Sequence, residues 1–483
     1  MRRSDASRPD SSEPPERDDF AAPAAPRPAA TARPAAAARP AATARPAATA
    51  RPATARRPAD PRQALGWGQR HEDHWLERWI RSTEDLAHLQ YSHRMLDAVI
   101  DEIDGRDIRV GDQWLTDYAS CNYLGLDLDL EIIEAIPEYL ARWGTHPSWS
   151  RLLGSPVLYE QIEAKLTELL GAEDSLLLPT ITHIHMSVIP VLGGGGTVFL
   201  DSRAHKTIYD GCAMAEARGA TIERFRHNDL DELEVLLKRN WRRPGLIAID
   251  GVNSMTGNAP DLAAFATLAR EHGLLLYVDD AHGFGVIGER AATEPCGYGI
   301  RGNSIVRHLG ESYDNIILVG GFSKAYSSLL AFIACPTAVK QVLKTAAPSY
   351  LYSGPSPIAS LATVLEGLRV NEARGDALRG QLHHLTRRVL NRIEALGIST
   401  PNRSGFPIIE VPLADPGTVG DVGDMLFDRG IYATMAVYPL VPRDEVGFRL
   451  QLTAANTDEQ IDHLEVVLGE VAERFKLNRS AAE

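Results

Sequence analysis

Very little in this chain points to an oxidising or membrane environment. Its 483 residues include only 4 cysteines. Cys121, Cys212, Cys296 and Cys335 are widely scattered without metal-ligand spacing, which argues against a disulfide framework and against a cysteine-built metal site. Free thiols in a reducing cytoplasm are expected. No apolar run approaches the roughly 18 residues of a membrane span. The start, Met1-Arg2-Arg3-Ser4-Asp5, has no apolar signal core, so export is not expected.

Positive charge is also scarce once the N-terminus is set aside. The net charge is −14, yet residues 1–62 hold 12 Arg against 7 acidic residues, so the remainder carries −19. An acidic body argues against nucleic acid as the main partner. What is present is ordinary for a soluble globular protein: 44% hydrophobic and 24% charged residues.

Residues 1–62 are mostly Ala, Pro and Arg, with Arg-Pro recurring every six residues from Arg27 to Arg57. Proline at that density blocks helices and sheet pairing, and there is little apolar area to bury, so a disordered tail is expected. It reads as a tolerated extension or as a targeting or docking segment. From Gln63 to about residue 125 the spacing of Trp67, Trp75, Trp79, Leu86, Leu89, Met95, Leu96, Val99 and Ile100 predicts one or two amphipathic helices covering the body. Arg109-Val110 and Trp114-Leu115 predict a small hairpin.

Beyond that point strands and helices alternate, the pattern of a mostly parallel sheet. Strands are predicted at 175–178, 197–200, 245–249, 274–278 and 315–319, and helices at 161–170, 186–192 and 262–272. Near Pro355 long helices take over, at 361–371 and 378–396. A final α/β segment follows, with strands at 407–411 and 448–452 and a closing helix at 457–475. The pattern implies a large α/β domain, 126–355, and a smaller C-terminal α/β domain, 356–483.

Lys324 follows the strand Asn315–Val319 on a Gly-rich turn, Gly320-Gly321-Phe322-Ser323-Lys324-Ala325-Tyr326. Such turns are where α/β folds place reactive groups. A lysine there can form a Schiff base with a carbonyl cofactor, although alone it reads as a solvated surface residue. The strand Leu274–Val278 ends in Asp279-Asp280-Ala281-His282-Gly283. An aspartate at that edge can hold a protonated heterocyclic nitrogen, and His282 can hydrogen-bond a phenolic oxygen. Asp279, His282 and Lys324 together have the order and types of a pyridoxal 5′-phosphate site.

The stretch from about Asn122 to the C-terminus resembles the α-oxoamine synthase family of fold-type I pyridoxal phosphate enzymes, which includes serine palmitoyltransferase and 8-amino-7-oxononanoate synthase. Asn122–Leu126 resembles the family's "NYLGL", Ala204–Cys212 its "SHASIYDGC", Arg224–Asp229 its "RFRHND", and Asp250–Gly257 its "EGVYSMxG". Phe322-Ser323-Lys324 is similar to its "FSK", and Arg449–Asn456 to its "RLxLTAAH". The resemblance implies a fold-type I transferase fold and roles for several residues. Lys324 would form the imine and act as base at Cα, His205 would stack on the cofactor ring, Asp279 would pair with the ring nitrogen, and His282 would bond the ring hydroxyl. Ser323, Thr182 and Ser254 would help bind the cofactor, and Ser353 would reach the phosphate of the partner in a homodimer with shared active sites. Arg449 would hold the substrate carboxylate, with Asn122 and His183 nearby.

The chain departs from the family pattern at its phosphate cradle. A Gly-aromatic pair is replaced by Ile181-Thr182-His183-Ile184-His185, and a phosphate-binding Thr by Gly321. His183 and His185 lack a third partner for a metal, so none is expected, and active-site lining or a packed pair is expected instead. After the lysine, Ser327–Ala331 replaces a Gly-rich run, and the connection Ala291–Asp314 is longer than in the family. No Arg near Val437-Tyr438-Pro439 matches the one serine palmitoyltransferases carry. The implied reaction is a decarboxylative Claisen condensation of a small amino acid with an acyl thioester of coenzyme A or an acyl carrier protein, yielding an α-aminoketone, CO2 and free thiol. Transamination, aldol cleavage and a non-catalytic partner subunit are the alternatives.

Overall fold

The computed structural model describes residues 82–477. The Arg-Pro tail and the aromatic stretch from Trp67 to residue 81 lie outside the described residues. The described chain opens with a helix, Glu84–Ser92. The helical spacing continues past it, but the backbone does not. His93 leaves the helix in extended conformation, its ring lies 3.0 Å from the Gly420 carbonyl, and Met95 packs beneath Ala433. Tertiary contacts override periodicity from Met95 to Ile100. The predicted hairpin is present. Strands β1 (Glu102–Asp104), β2 (Asp107–Val110) and β3 (Gln113–Asp117) form an antiparallel ribbon.

The centre is a seven-stranded sheet built from β4 (Asp174–Leu178), β5 (Thr197–Asp201), β6 (Thr221–Phe225), β7 (Gly245–Asp250), β8 (Leu275–Asp279), β9 (Ile316–Gly321) and β10 (Ala331–Cys335). Its order is β4-β10-β9-β8-β7-β5-β6. Strands β5 to β9 pair in parallel, whereas β10 runs antiparallel to both β9 and β4. The reversal has a simple cause. The link Phe322–Leu330 is too short for the crossover of a dozen or more residues that a parallel neighbour needs. Nearly all positions of β4, β5 and β7 to β10 are buried because both faces are covered, whereas the edge strand β6 buries only Phe225. Leu177, Phe199, Ile247 and Leu276 join the core on one face, and Leu176, Val198, Leu246 and Tyr277 that on the other.

The two helices predicted after Pro355 are a single 38-residue helix, Ile358–Ala395. Gly375 does not break it, because Arg379 and Asn371 close over that turn. Arg379 is fully buried and donates from Nη1 to Asn371 Oδ1 (2.7 Å) and to the Gly285 carbonyl (3.1 Å). The C-terminal part contains β11 (Ile408–Pro412), β12 (Ile431–Tyr432), β13 (Thr434–Ala436) and β14 (Gly447–Gln451). Strands β11, β14 and β13 form an antiparallel sheet, while β12 pairs in parallel with β3. The closing helix, Asp458–Phe475, starts with a capping box between Thr457 and Gln460. Among the described residues no helix is long and apolar enough to cross a membrane. The four cysteines are free.

Candidate active site

Parallel strands deliver their functional residues to one place, the carboxyl edge of the sheet. Strand β8 ends at Asp279, β7 at Asp250 and β9 just before the lysine turn, while His205 follows β5. A narrow cleft there is lined by Ile181, His205, Asp250, Val252, Ser254, Asp279, Ala281, His282 and Lys324.

The lysine turn is rigid because its neighbours are anchored. Phe322 and Tyr326 are fully buried, and both rings pack on Phe284 at centroid distances of 5.4 and 5.3 Å. Phe284 also meets Phe332 at 4.7 Å. A Cβ on Gly320 would come 2.2 Å from the Phe332 ring, so only glycine fits there. The Ser327 hydroxyl ties the far side of the turn to Asn122 Oδ1 (3.1 Å). Lys324 itself is half-exposed into the cleft.

Asp279 is buried, which by itself would raise its pKa. The His185 ring, and behind it Lys324 and His205, reverse that and bring it to about 2. Its Oδ1 accepts the Ala281 N–H at 2.9 Å, and Oδ2 lies 2.9 Å from His185 Nε2. This carboxylate stays ionised and fixed. Asp250 accepts the His205 N–H at 3.0 Å, and burial beside Asp279 pushes its pKa well above the carboxylate range. His205 is exposed at the cleft mouth, its Nδ1 2.8 Å from the Thr207 hydroxyl.

His282 is buried, and burial, then the charges of Lys324 and Arg449, push its pKa well below the ordinary value, so the ring is neutral. Its Nδ1 lies 2.8 Å from the Tyr123 hydroxyl, which lies 3.2 Å from Gln451 Oε1; Gln451 Nε2 donates to the Ala119 carbonyl at 2.7 Å. That chain orients the amide with its oxygen towards Tyr123. Tyr123 then donates to Gln451 and accepts from His282 Nδ1–H, leaving Nε2 as the free acceptor for a ligand.

Arg449, central in β14, donates from Nη1 to the Ser254 carbonyl at 2.6 Å and so joins the cleft wall. Thr182 is half-buried at the start of the helix Ile181–Gly193, whose N-cap Thr180 accepts the His183 N–H. A Cβ built on Gly321 would lie 3.5 Å from Ser323 Oγ and 3.6 Å from Ile181 Cδ1, so this helix start and Ser323 border the same small space. A helix N-terminus with a serine hydroxyl beside it suits a phosphate. Together with a fixed carboxylate, a neutral histidine and a primary amine, the donor set fits pyridoxal 5′-phosphate. Two candidates stand apart from the cleft. His183 is exposed, and Ser353 is half-buried with its hydroxyl on the Gly354 carbonyl at 3.2 Å. Among the described residues no three His, Cys, Asp or Glu side chains are grouped to hold a metal.

Sequence reasoning missed Tyr123, Gln451 and Asp250 as parts of the site, and left His185 between lining it and simple packing. His185 carried one usable signal. It lies four residues after Ile181, on the helix face that lines the cleft, while His183 does not.

Residues 118–468 match the family model for aminotransferase class I and II. An 8-amino-7-oxononanoate synthase of Symbiobacterium thermophilum is 31% identical over 380 residues, 78% of this chain and 91% of that protein. One from Alkalilimnicola ehrlichii is 33% identical over 373 residues, 76% and 89% respectively. A serine palmitoyltransferase variant from S. paucimobilis, solved with a bound adduct of pyridoxal phosphate and myriocin, superposes with a TM-score of 0.76 at 24% identity, covering 84% of this chain and 100% of that one.

Proposed function

Because this chain belongs to the α-oxoamine synthases within the aminotransferase class I and II family, we propose that it joins a small amino acid to an acyl thioester, releasing CO2 and free thiol and leaving an α-aminoketone. The acyl group comes from coenzyme A or an acyl carrier protein. The observation that carries this reading is the convergence of Asp279, His282, His205 and Lys324 on one cleft whose wall includes the Arg449 anchor.

Bound pyridoxal 5′-phosphate supplies an electron sink that stabilises a carbanion at the amino-acid Cα. The rest is the work of this chain. Asp279, held ionised, keeps the ring nitrogen protonated, and the Nε2 of His282 accepts from the ring hydroxyl. His205 covers the ring at the cleft mouth. The first backbone N–H groups of the helix Ile181–Gly193, with Thr182, Ser323 and Ser254, hold the cofactor, and Ser353 reaches the phosphate of the other protomer of a homodimer. The Lys324 amine removes and returns the proton at Cα. Arg449 would grip the substrate carboxylate as a planar fork and so orient the amino acid towards Lys324. Asn122, tied to the lysine turn through Ser327, borders the amino-acid side, whereas the exposed His183 stands apart from it. The sheet domain 126–355 carries the cofactor residues, and the smaller domain 356–483 carries Arg449.

The test is a coupled assay. Purified protein loaded with cofactor is given glycine, alanine or serine and an acyl thioester, and CO2 and thiol are measured. Stoichiometric release of both supports the condensation. Formation of a keto acid without thiol would replace it with transamination.

A further inference from the structure

The register of β11, β14 and β13 sets Glu410, Arg449 and Thr434 directly opposite one another. Residues so paired across antiparallel strands share one face of the sheet. From that face Arg449 reaches the Ser254 carbonyl at the cleft wall. Glu410 is 1% exposed, and neither of its carboxylate oxygens has a hydrogen-bond partner; Arg449 Nε is likewise buried and unpartnered. A buried carboxylate without donors is costly, so it needs a reason to be there.

The charges facing Glu410 come from three elements. Arg449 stands on the neighbouring strand, Arg203 on the loop after β5, and Glu445 on the short turn before β14. Arg203 is already engaged, forked onto Glu445 with one bond of 2.9 Å, and feels Glu410 and then Asp444 only through space. Burial, then Glu445, push the Glu410 carboxyl up to about 7 against the pull of Arg203 and Arg449. Arg203 has Glu445 as its own carboxylate, so Arg449, directly opposite Glu410 with its Nε unpartnered, is the cation left for Glu410 to answer.

We propose that Glu410 is the internal counter-charge of Arg449 and takes up a proton from solvent when an amino-acid carboxylate docks on that guanidinium. The proposal deepens the reading of Arg449 as the carboxylate clamp and rests on it. A docking carboxylate brings a second negative charge to one arginine, and like charges at a shared site cannot both stay ionised cheaply. Glu410 is the one that yields, because no donor holds it in the charged form. When the substrate carboxylate leaves as CO2, the proton returns to solvent. Glu410 touches no reacting atom and is a positioning residue. Binding raises its pKa, so by linkage the affinity is full at lower pH and falls as pH rises through the free-enzyme midpoint.

Calorimetry on the cofactor-loaded enzyme tests this, with propionate as a carboxylate probe that lacks an amine. Titrations near pH 7 in two buffers of different ionisation enthalpy count protons without any variant. The wild type should take up about half a proton per propionate, and its dissociation constant should rise roughly tenfold from pH 6 to pH 8. Glu410→Gln should take up none and show a flat profile. No uptake by the wild type, or equal uptake by Glu410→Gln, overturns the proposal. Arg449→Gln separates the two readings: if it binds propionate and amino acid as the wild type does, the clamp itself is misassigned and the proposal falls with it.

Discussion

His185 Nε2 lies 2.9 Å from Asp279 Oδ2, and Nδ1 of the same ring lies 2.9 Å from the Tyr277 hydroxyl. The ring is wholly buried, edge-on to Tyr277 at a centroid distance of 5.7 Å. Burial keeps the Tyr277 hydroxyl protonated, so it donates to Nδ1, and Nε2–H donates to the carboxylate. The helix Ile181–Gly193 thus clamps the end of β8 through one side chain. The Asp279 carboxylate is oriented before any cofactor arrives.

His185→Asn shortens that bridge and leaves Asp279 with its Ala281 contact alone. Removing a hydrogen bond to a buried charge costs about 1.5–3 kcal/mol. Pyridoxal phosphate should therefore bind roughly tenfold to a hundredfold more weakly. Equilibrium dialysis against the cofactor measures this, and an unchanged dissociation constant would show that Asp279 is held without His185.

Lys324→Ala should abolish turnover and prevent borohydride from fixing the cofactor to the protein. It should not unfold the chain, since the turn is anchored by Phe322 and Tyr326 rather than by the half-exposed lysine. Thermal melts should agree within the small range expected of surface substitutions, about 0.5 kcal/mol. Turnover retained by the variant would refute a lysine-based mechanism.

What could be read from the residues was what is local. Apolar runs at strand length place β4, β5, β7, β8 and β9, and the polar residues just past them then fall at the sheet edge. Asp279, His282 and Lys324 were legible for that reason. The rest depends on pairings far apart in sequence. Tyr123 meets His282 across 159 positions, and Gln451 meets Tyr123 across 328. Glu410 looks like any strand residue until the register of β11 on β14 sets it opposite Arg449. The unbroken helix Ile358–Ala395 was hidden by Gly375, whose place is secured by Asn371 and the buried Arg379 closing over it.

The neutral state of His282 has a pH consequence. Its folded pKa is depressed well below 6.5, chiefly by burial. Below that value the unfolded chain binds a proton that the native site refuses, so stability falls as pH falls. One such group contributes at most about 1.4 kcal/mol per pH unit. Urea melts at pH 7.5 and 5.5 should therefore show the wild type losing about 1 kcal/mol more than His282→Asn on acidification. Equal losses would mean that His282 titrates normally in the fold.

Arg449→Lys keeps the charge but loses the fork. One Nη of the arginine is committed to the Ser254 carbonyl at 2.6 Å, which fixes the plane of the guanidinium beside the cleft wall. An ammonium is a point charge on a flexible stem and cannot hold that carbonyl while presenting two parallel donors to a carboxylate. Losing about 1.4 kcal/mol of oriented binding corresponds to tenfold. The KM for the amino acid should therefore rise roughly tenfold or more, while the KM for the acyl thioester, which Arg449 does not touch in this reading, should stay within about twofold. Steady-state kinetics with each substrate varied separately decides the matter. A parallel rise in both constants would mean that the substitution disturbs β14 and its sheet rather than a carboxylate contact.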